Sequence, residues 1–141
     1  MNLKSLAMAA AFCALSWSGA QAAEVRFTAA LTGADEVPPN TTTGKGTATA
    51  TLDTATKAFR YTVTYSGLTG SAMAAHFHGP ASPGENAPPI ITIKSLASPI
   101  KGEATLTDPQ IGDLQAGRWY FNVHTAAHPS GEIRGQLAKA P

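Results

Sequence analysis

Cysteine is almost absent from this sequence. The single cysteine, Cys13, lies in an apolar run near the N-terminus, and no other occurs in the 141 residues. Beyond that run, disulfides, thiol chemistry and zinc sites built on cysteine are therefore excluded. A domain without disulfides depends on its hydrophobic core for stability.

A hydrophobic run long enough to span a bilayer is also missing. The apolar run Leu6–Trp17 is too short, follows the positively charged start Met1–Lys4 and precedes the small-x-small sequence AQA at 20–22. This pattern predicts a secretory signal peptide over residues 1–23, cleaved after Ala22 or Ala23. The apolar run is too short for the alternative, a membrane anchor. We expect an exported protein, periplasmic or extracellular, with no membrane span after cleavage.

Neither sign of charge dominates. The chain has ten Lys and Arg against nine Asp and Glu, and removal of Lys4 with the signal peptide leaves the two signs balanced. A basic surface for nucleic acid or for an anionic membrane is therefore not expected. The remaining residues, 24–141, have the size of one domain.

Apolar and polar residues alternate along most of the chain. A period of two is typical of strands with one buried face, and the β-branched and aromatic residues fit strands. The apolar positions are Val25, Phe27, Ala29 and Leu31; Ala48, Ala50 and Leu52; Phe59, Tyr61, Val63 and Tyr65; Met73, Ala75 and Phe77; Ile100, Ala104 and Leu106; and Trp119, Phe121 and Val123.

Turn signals separate these runs, and one segment reads as a helix. Residues 80–89 form a loop rich in Pro and Gly, whereas Thr107 and the following Asp-Pro begin a short helix near 108–116 that Gly117 ends. We expect no other helix. Seven or eight short strands indicate an all-β, antiparallel sandwich or Greek-key barrel.

All four histidines fall in two motifs. His76 and His78 lie in AHFHGP, and His124 and His128 lie in NVHTAAHP. Strand alternation turns His76, His78 and His124 away from the core, so neighbouring strands would bring three imidazoles together, with His128 on the following loop. Imidazole ligands without sulfur favour copper or zinc. The alternative is that these rings only hydrogen-bond to backbone or carboxylate groups.

Two further charged residues, Glu132 and Arg134, follow on the last strand. Their spacing of two places both on the outer face, where we expect pairing with cross-strand neighbours. A functional alternative is that they orient a histidine. No serine or cysteine stands beside a histidine and an acid as in a catalytic triad, so we predict no catalytic residues.

The sequence resembles the CHRD domain, a module first defined in chordin and found in bacterial exported proteins. The resemblance runs from about Phe27 to Leu137 and rests on LTGADEVPP, GKGTATATLD, AHFHGPA, LTDPQIGDLQAG and NVHT followed by GEIRGQ. It implies an immunoglobulin-like or superoxide dismutase-like β-sandwich and leaves the activity undefined. His76, His78 and His124 fall on the family's motif positions, while His128 lies in a variable piece.

His76-Phe77-His78 also resembles the histidine–x–histidine ligands of copper/zinc superoxide dismutase. The disulfide and the acidic zinc loop of that enzyme are missing here, which argues against dismutase activity. We therefore expect a non-enzymatic exported binding or structural module whose histidines bind copper or zinc. Its partner is either an unidentified protein or the metal itself, and the sequence does not decide its oligomeric state. The alternative is a copper-dependent redox enzyme.

Overall fold

A computed structural model describes residues 23–141, so that nearly all of the expected signal peptide lies outside the described residues. Within this range the chain forms nine strands and one α-helix. The elements are β1 (Glu24–Thr32), β2 (Lys45–Asp53), β3 (Ala58–Ser66), β4 (Ala72–His78), β5 (Pro89–Thr92), β6 (Ile100–Thr105), α1 (Asp108–Gln115), β7 (Tyr120–Thr125), β8 (Ile133–Gln136) and β9 (Ala138–Lys139).

The strands form one antiparallel sheet that curls into a nearly closed barrel. Their order is β5-β4-β7-β8-β1-β2-β3-β6, and the two-residue β9 adds to β1 beside β8. Strands β1, β2 and β3 are the longest and pair in register over nearly their whole length. The sequence left open whether the fold is a sandwich or a barrel, and the structure is the barrel.

The predicted alternation fills the barrel interior. Phe59 lies at its centre, with ring edges against Phe77 at 5.3 Å and Trp119 at 5.6 Å between centroids. Edge-to-face aromatic pairs of this kind stabilise a core beyond the area they bury. Threonines occupy the alternate positions of β2 and β3, where the polar face meets solvent. The buried apolar positions include Phe27, Leu31, Leu52, Phe59, Val63, Phe77, Ile100, Leu106, Leu114, Trp119, Phe121 and Val123.

Helix α1 begins and ends as the sequence predicts. The Thr107 hydroxyl accepts a hydrogen bond from the Gln110 backbone N–H, and the Gln110 side chain accepts one from the Thr107 N–H. This capping box satisfies two backbone donors that the first helical turn leaves free. Gly117 follows the last turn with φ +72°, a conformation that favours glycine.

Two local expectations are wrong. Met73 was expected in the core but is 65% exposed, because it is an extra residue at a bulge: Ala72 and Ala74 pair with the adjacent residues Thr125 and His124. A single 3-10 turn at Gly33–Asp35 also adds a helical segment where none was expected.

Candidate metal centre

Strands β4 and β7 pair directly, which is the condition on which convergence of the histidines depended. His76 lies opposite Asn122, and Ala74 lies opposite His124, so all these residues share the face turned away from the core. The small Ala74 side chain leaves room for the His124 ring to lean towards His76. Ligand nitrogens of His76, His78 and His124 all lie within 4.8 Å of one another. We call these residues the three-histidine group.

The spacing of the three-histidine group suits a small divalent ion. His76 Nδ1 and His124 Nε2 are 3.2 Å apart. Two nitrogens bound at 2.0–2.1 Å to a tetrahedral ion are about 3.4 Å apart, and at a right angle about 2.9 Å. Because no pair exceeds 4.8 Å, His78 needs to move by at most about 1.4 Å to reach the tetrahedral spacing.

Backbone carbonyl groups set the orientation of two rings. His78 Nδ1 lies 2.8 Å from the Ala87 carbonyl oxygen, and His124 Nδ1 lies 3.0 Å from the Pro129 carbonyl oxygen. A carbonyl only accepts, so Nδ1 of each ring carries the proton and donates. In the neutral rings Nε2 is then unprotonated and available to a metal, and the Nδ1 contact fixes the ring in the way that metal-bound histidines are fixed. The expected alternative of backbone hydrogen bonding is therefore present, but it uses Nδ1 of these two rings and not Nε2.

The face that carries the histidines is covered rather than open. The loop at 79–88 folds back over it, and His78 is only 8% exposed. Tyr120 stacks on His78 with ring centroids 4.7 Å apart, and the Arg134 guanidinium lies 3.5 Å from the Tyr120 ring centroid. Arg134 in turn donates to the Glu85 carbonyl oxygen at 2.6 Å and so holds the loop in place.

Burial favours the neutral form of the rings. It lowers the pKa of His76 below the usual 6.5, and the neighbouring His124 and His78 rings lower it further. Burial also lowers the pKa of His78, outweighing its hydrogen bonds to Ala87 and Asn122. Neutral imidazole is the form that binds a metal, so these shifts extend the pH range in which the rings are ready to bind.

The fourth histidine does not join the group. His128 lies in the turn after β7, where its backbone N–H meets the Thr125 hydroxyl at 3.3 Å and its carbonyl oxygen accepts from the Gly131 N–H at 3.1 Å. It is not among the residues whose ligand atoms converge.

The expectation for Glu132 is wrong in its face, and that for Arg134 is confirmed. Glu132 precedes β8, so strand alternation does not apply to it, and its buried carboxylate accepts hydrogen bonds from Thr42, Thr69 and Thr125. Arg134 lies opposite Asn122 and stacks on Tyr120 of the neighbouring strand, and its hydrogen bonds go to the covering loop. Among residues 23–141 no carboxylate hydrogen-bonds to the three-histidine group.

Sequence reasoning missed the residue that contacts two of the rings. Asn122 Oδ1 lies 3.0 Å from His78 Nε2 and 3.0 Å from His124 Nε2, and the side chain is 3% exposed. Strand alternation did place Asn122 on the histidine face. Strand alternation alone gives no role to the amide. That role becomes visible only when the structure shows a histidine ring on each side of Asn122.

A buried acid lies beside Asn122. Glu36 is 4% exposed, and burial raises its pKa to about 7 against the charge of Arg134 and hydrogen bonds from the Val37 N–H and the Asn122 amide. Its carboxyl group lies against Gly131, where a Cβ atom would overlap it and where φ is +130°. Glycine is therefore required at that position on both counts.

Comparison with known proteins agrees with the resemblance in the sequence. No curated protein and no solved structure matches the chain significantly. The family model described as the CHRD domain matches residues 27–137, which run from within β1 to beyond the end of β8 and include every residue of the three-histidine group. Among the described residues, no helix combines the length and the apolar character needed to cross a membrane. The chain belongs to the CHRD domain family.

Proposed function

We propose that this chain is an exported, non-enzymatic binding module in which His76, His78 and His124 together bind one Cu(II) or Zn(II) ion. The observation that carries the proposal is the convergence of three ligand nitrogens within 4.8 Å on paired strands. Two of the three rings are also held by backbone carbonyls in the tautomer that leaves Nε2 free.

The chemistry of the donors selects the metal. Neutral imidazole nitrogens suit copper and zinc, whereas magnesium and calcium prefer oxygen ligands. The lowered pKa values of His76 and His78 keep those nitrogens unprotonated in neutral solution. Because His78 is buried and His76 and His124 are half-buried, an ion here is partly shielded from competing ligands in solvent.

Binding rather than turnover is supported by what surrounds the rings. Within residues 23–141, the hydrogen-bond partners of the three rings are one another, an amide and two backbone carbonyls. Apart from the rings themselves, none of these is a general acid or base of the kind that catalysis by side chains uses. Export is supported by the N-terminal pattern of charge, apolar run and small residues.

Metal titration of purified protein tests the proposal. We expect one zinc or copper ion per chain by calorimetry, and His76→Ala and His124→Ala should weaken the affinity at least about a hundredfold because each removes a ligand. His128→Ala is the matched control, since its ring lies outside the group, and should stay within about threefold of the wild type. Absence of stoichiometric binding, or equal losses in all three variants, would contradict the assignment.

A further inference from the structure

The side-chain amide of Asn122 lies between two histidine rings. Its Oδ1 is 3.0 Å from Nε2 of His78 and 3.0 Å from Nε2 of His124. Both rings already use Nδ1–H to donate to the carbonyls of Ala87 and Pro129, so both Nε2 atoms carry lone pairs in the neutral rings. His76 Nδ1–H can donate to His124 Nε2 across 3.2 Å, which leaves His78 Nε2 and Asn122 Oδ1 facing each other as two acceptors with no donor between them.

Converging acceptors of this kind are stable in one of two ways. A cation placed among them uses every lone pair, and the separations of 3.0 to 3.2 Å match those between neighbouring ligands of one ion. Alternatively, the amide turns over so that an N–H group donates to His78 Nε2 while His124 Nε2 accepts from His76 Nδ1–H, which satisfies both rings without a metal. The same side chain fits both arrangements.

We infer that Asn122 is the fourth donor of the metal site and that its amide turns over when the metal binds. In the metal-free protein an N–H group donates to His78 Nε2 and closes the site. In the loaded protein Oδ1 faces the ion. This inference rests on the proposed function, because it assigns the fourth position and the gating of the same site.

Glu36 gives the amide a second acceptor. Glu36 lies near the Asn122 amide, which lowers the pKa of its carboxyl group. Glu36 is 4% exposed, and its Oε1 has no hydrogen-bond partner among the described residues. When Oδ1 faces the rings, the amide nitrogen therefore has a buried acceptor nearby that replaces its bond to the imidazole.

Nuclear magnetic resonance of the full folded chain at pH 7.5 tests the metal-free half. We expect His78 and His124 as Nδ1–H tautomers, with a hydrogen-bond coupling from the Asn122 side-chain nitrogen to Nε2 of His78. One equivalent of Zn²⁺ should abolish the coupling. Zinc that binds while the coupling persists, or a coupling that is absent before zinc, overturns this inference alone. Failure of both zinc and copper to bind the wild type overturns the proposed function as well.

Two variants separate a ligand from a structural residue. Asn122→Leu keeps the size without a donor atom and should weaken zinc binding about tenfold to a hundredfold. Asn122→Asp keeps an oxygen but loses both N–H groups, so it should bind zinc at least as tightly as the wild type. The exposed Thr64→Val on β3 is the control and should change nothing. Wild-type affinity in Asn122→Leu, or an equal loss in Asn122→Asp, overturns the inference.

Discussion

Replacing Glu36 by glutamine should make the protein more stable at alkaline pH and leave it almost unchanged in acid. Glu36 is buried at 4% exposure, and its pKa is raised from 4.5 to about 7, chiefly by burial. An acid whose folded-state pKa is raised binds more protons in the folded than in the unfolded chain. The free energy of unfolding of the wild type therefore falls as the pH rises from 4.5 through 7, and glutamine removes that dependence.

The size of this effect follows from the pKa difference. At about 1.4 kcal/mol per unit, the shift from 4.5 to about 7 corresponds to about 3 kcal/mol of lost stability at high pH. About 2.5 kcal/mol of that loss falls between pH 5 and pH 8. Native domains are stable by only about 5–15 kcal/mol, so the change is readily measured.

Urea denaturation of the metal-free protein at pH 5, 6, 7 and 8 provides the assay. The stability difference between Glu36→Gln and the wild type should grow by about 2.5 kcal/mol across this range, while contributions from the histidines cancel because both proteins carry them. Glu24→Gln, at an exposed position on β1, is the matched control and should show a constant difference. A constant difference for Glu36→Gln as well would refute the reasoning.

Three further predictions concern the other polar groups. Burial alone would raise the pKa of Glu132, but hydrogen bonds from Thr42, Thr69 and Thr125 outweigh it and lower that pKa to about 2. Glu132→Gln should therefore cost about 3 kcal/mol in urea denaturation at pH 7, and this cost should disappear between pH 4.5 and pH 2; a cost independent of pH would count against it. Thr107→Ala removes the capping box and should lower the free energy of unfolding by about 1 kcal/mol in the same assay. No change would show that the capping box does not stabilise the protein. Copper or zinc should raise the melting temperature, because it binds only the folded chain, and the increase should shrink in acid as the imidazoles protonate, at a lower pH for His76 and His78 than for an ordinary histidine because burial lowers their pKa values. An increase that does not depend on pH would count against histidine ligands.

Most of the fold was predictable because apolar and polar residues alternate along each strand and so distinguish its buried face from its exposed face. Phe27, Phe59 and Trp119 follow that alternation into the core, and Thr107 to Gly117 carries the local signals of one helix. Met73 was not predictable, since a bulge shifts the alternation by one residue and leaves no sign in the sequence.

The site was predictable as far as strand alternation reaches. It placed His76, His78 and His124 on one face, and the pairing of β4 with β7 brings them together. It could not foresee that the loop at 79–88 covers this face, because contacts between a loop and a sheet depend on tertiary packing. The burial of Glu36 beside Asn122 could not be foreseen for the same reason.

A crystal structure of the protein soaked with one equivalent of Zn²⁺, with anomalous scattering recorded at the zinc edge, tests the central claim most directly. The account predicts a single anomalous peak at 2.0–2.1 Å from one ring nitrogen each of His76, His78 and His124. A peak elsewhere on the chain, or one that contacts fewer than three of these rings, would contradict it.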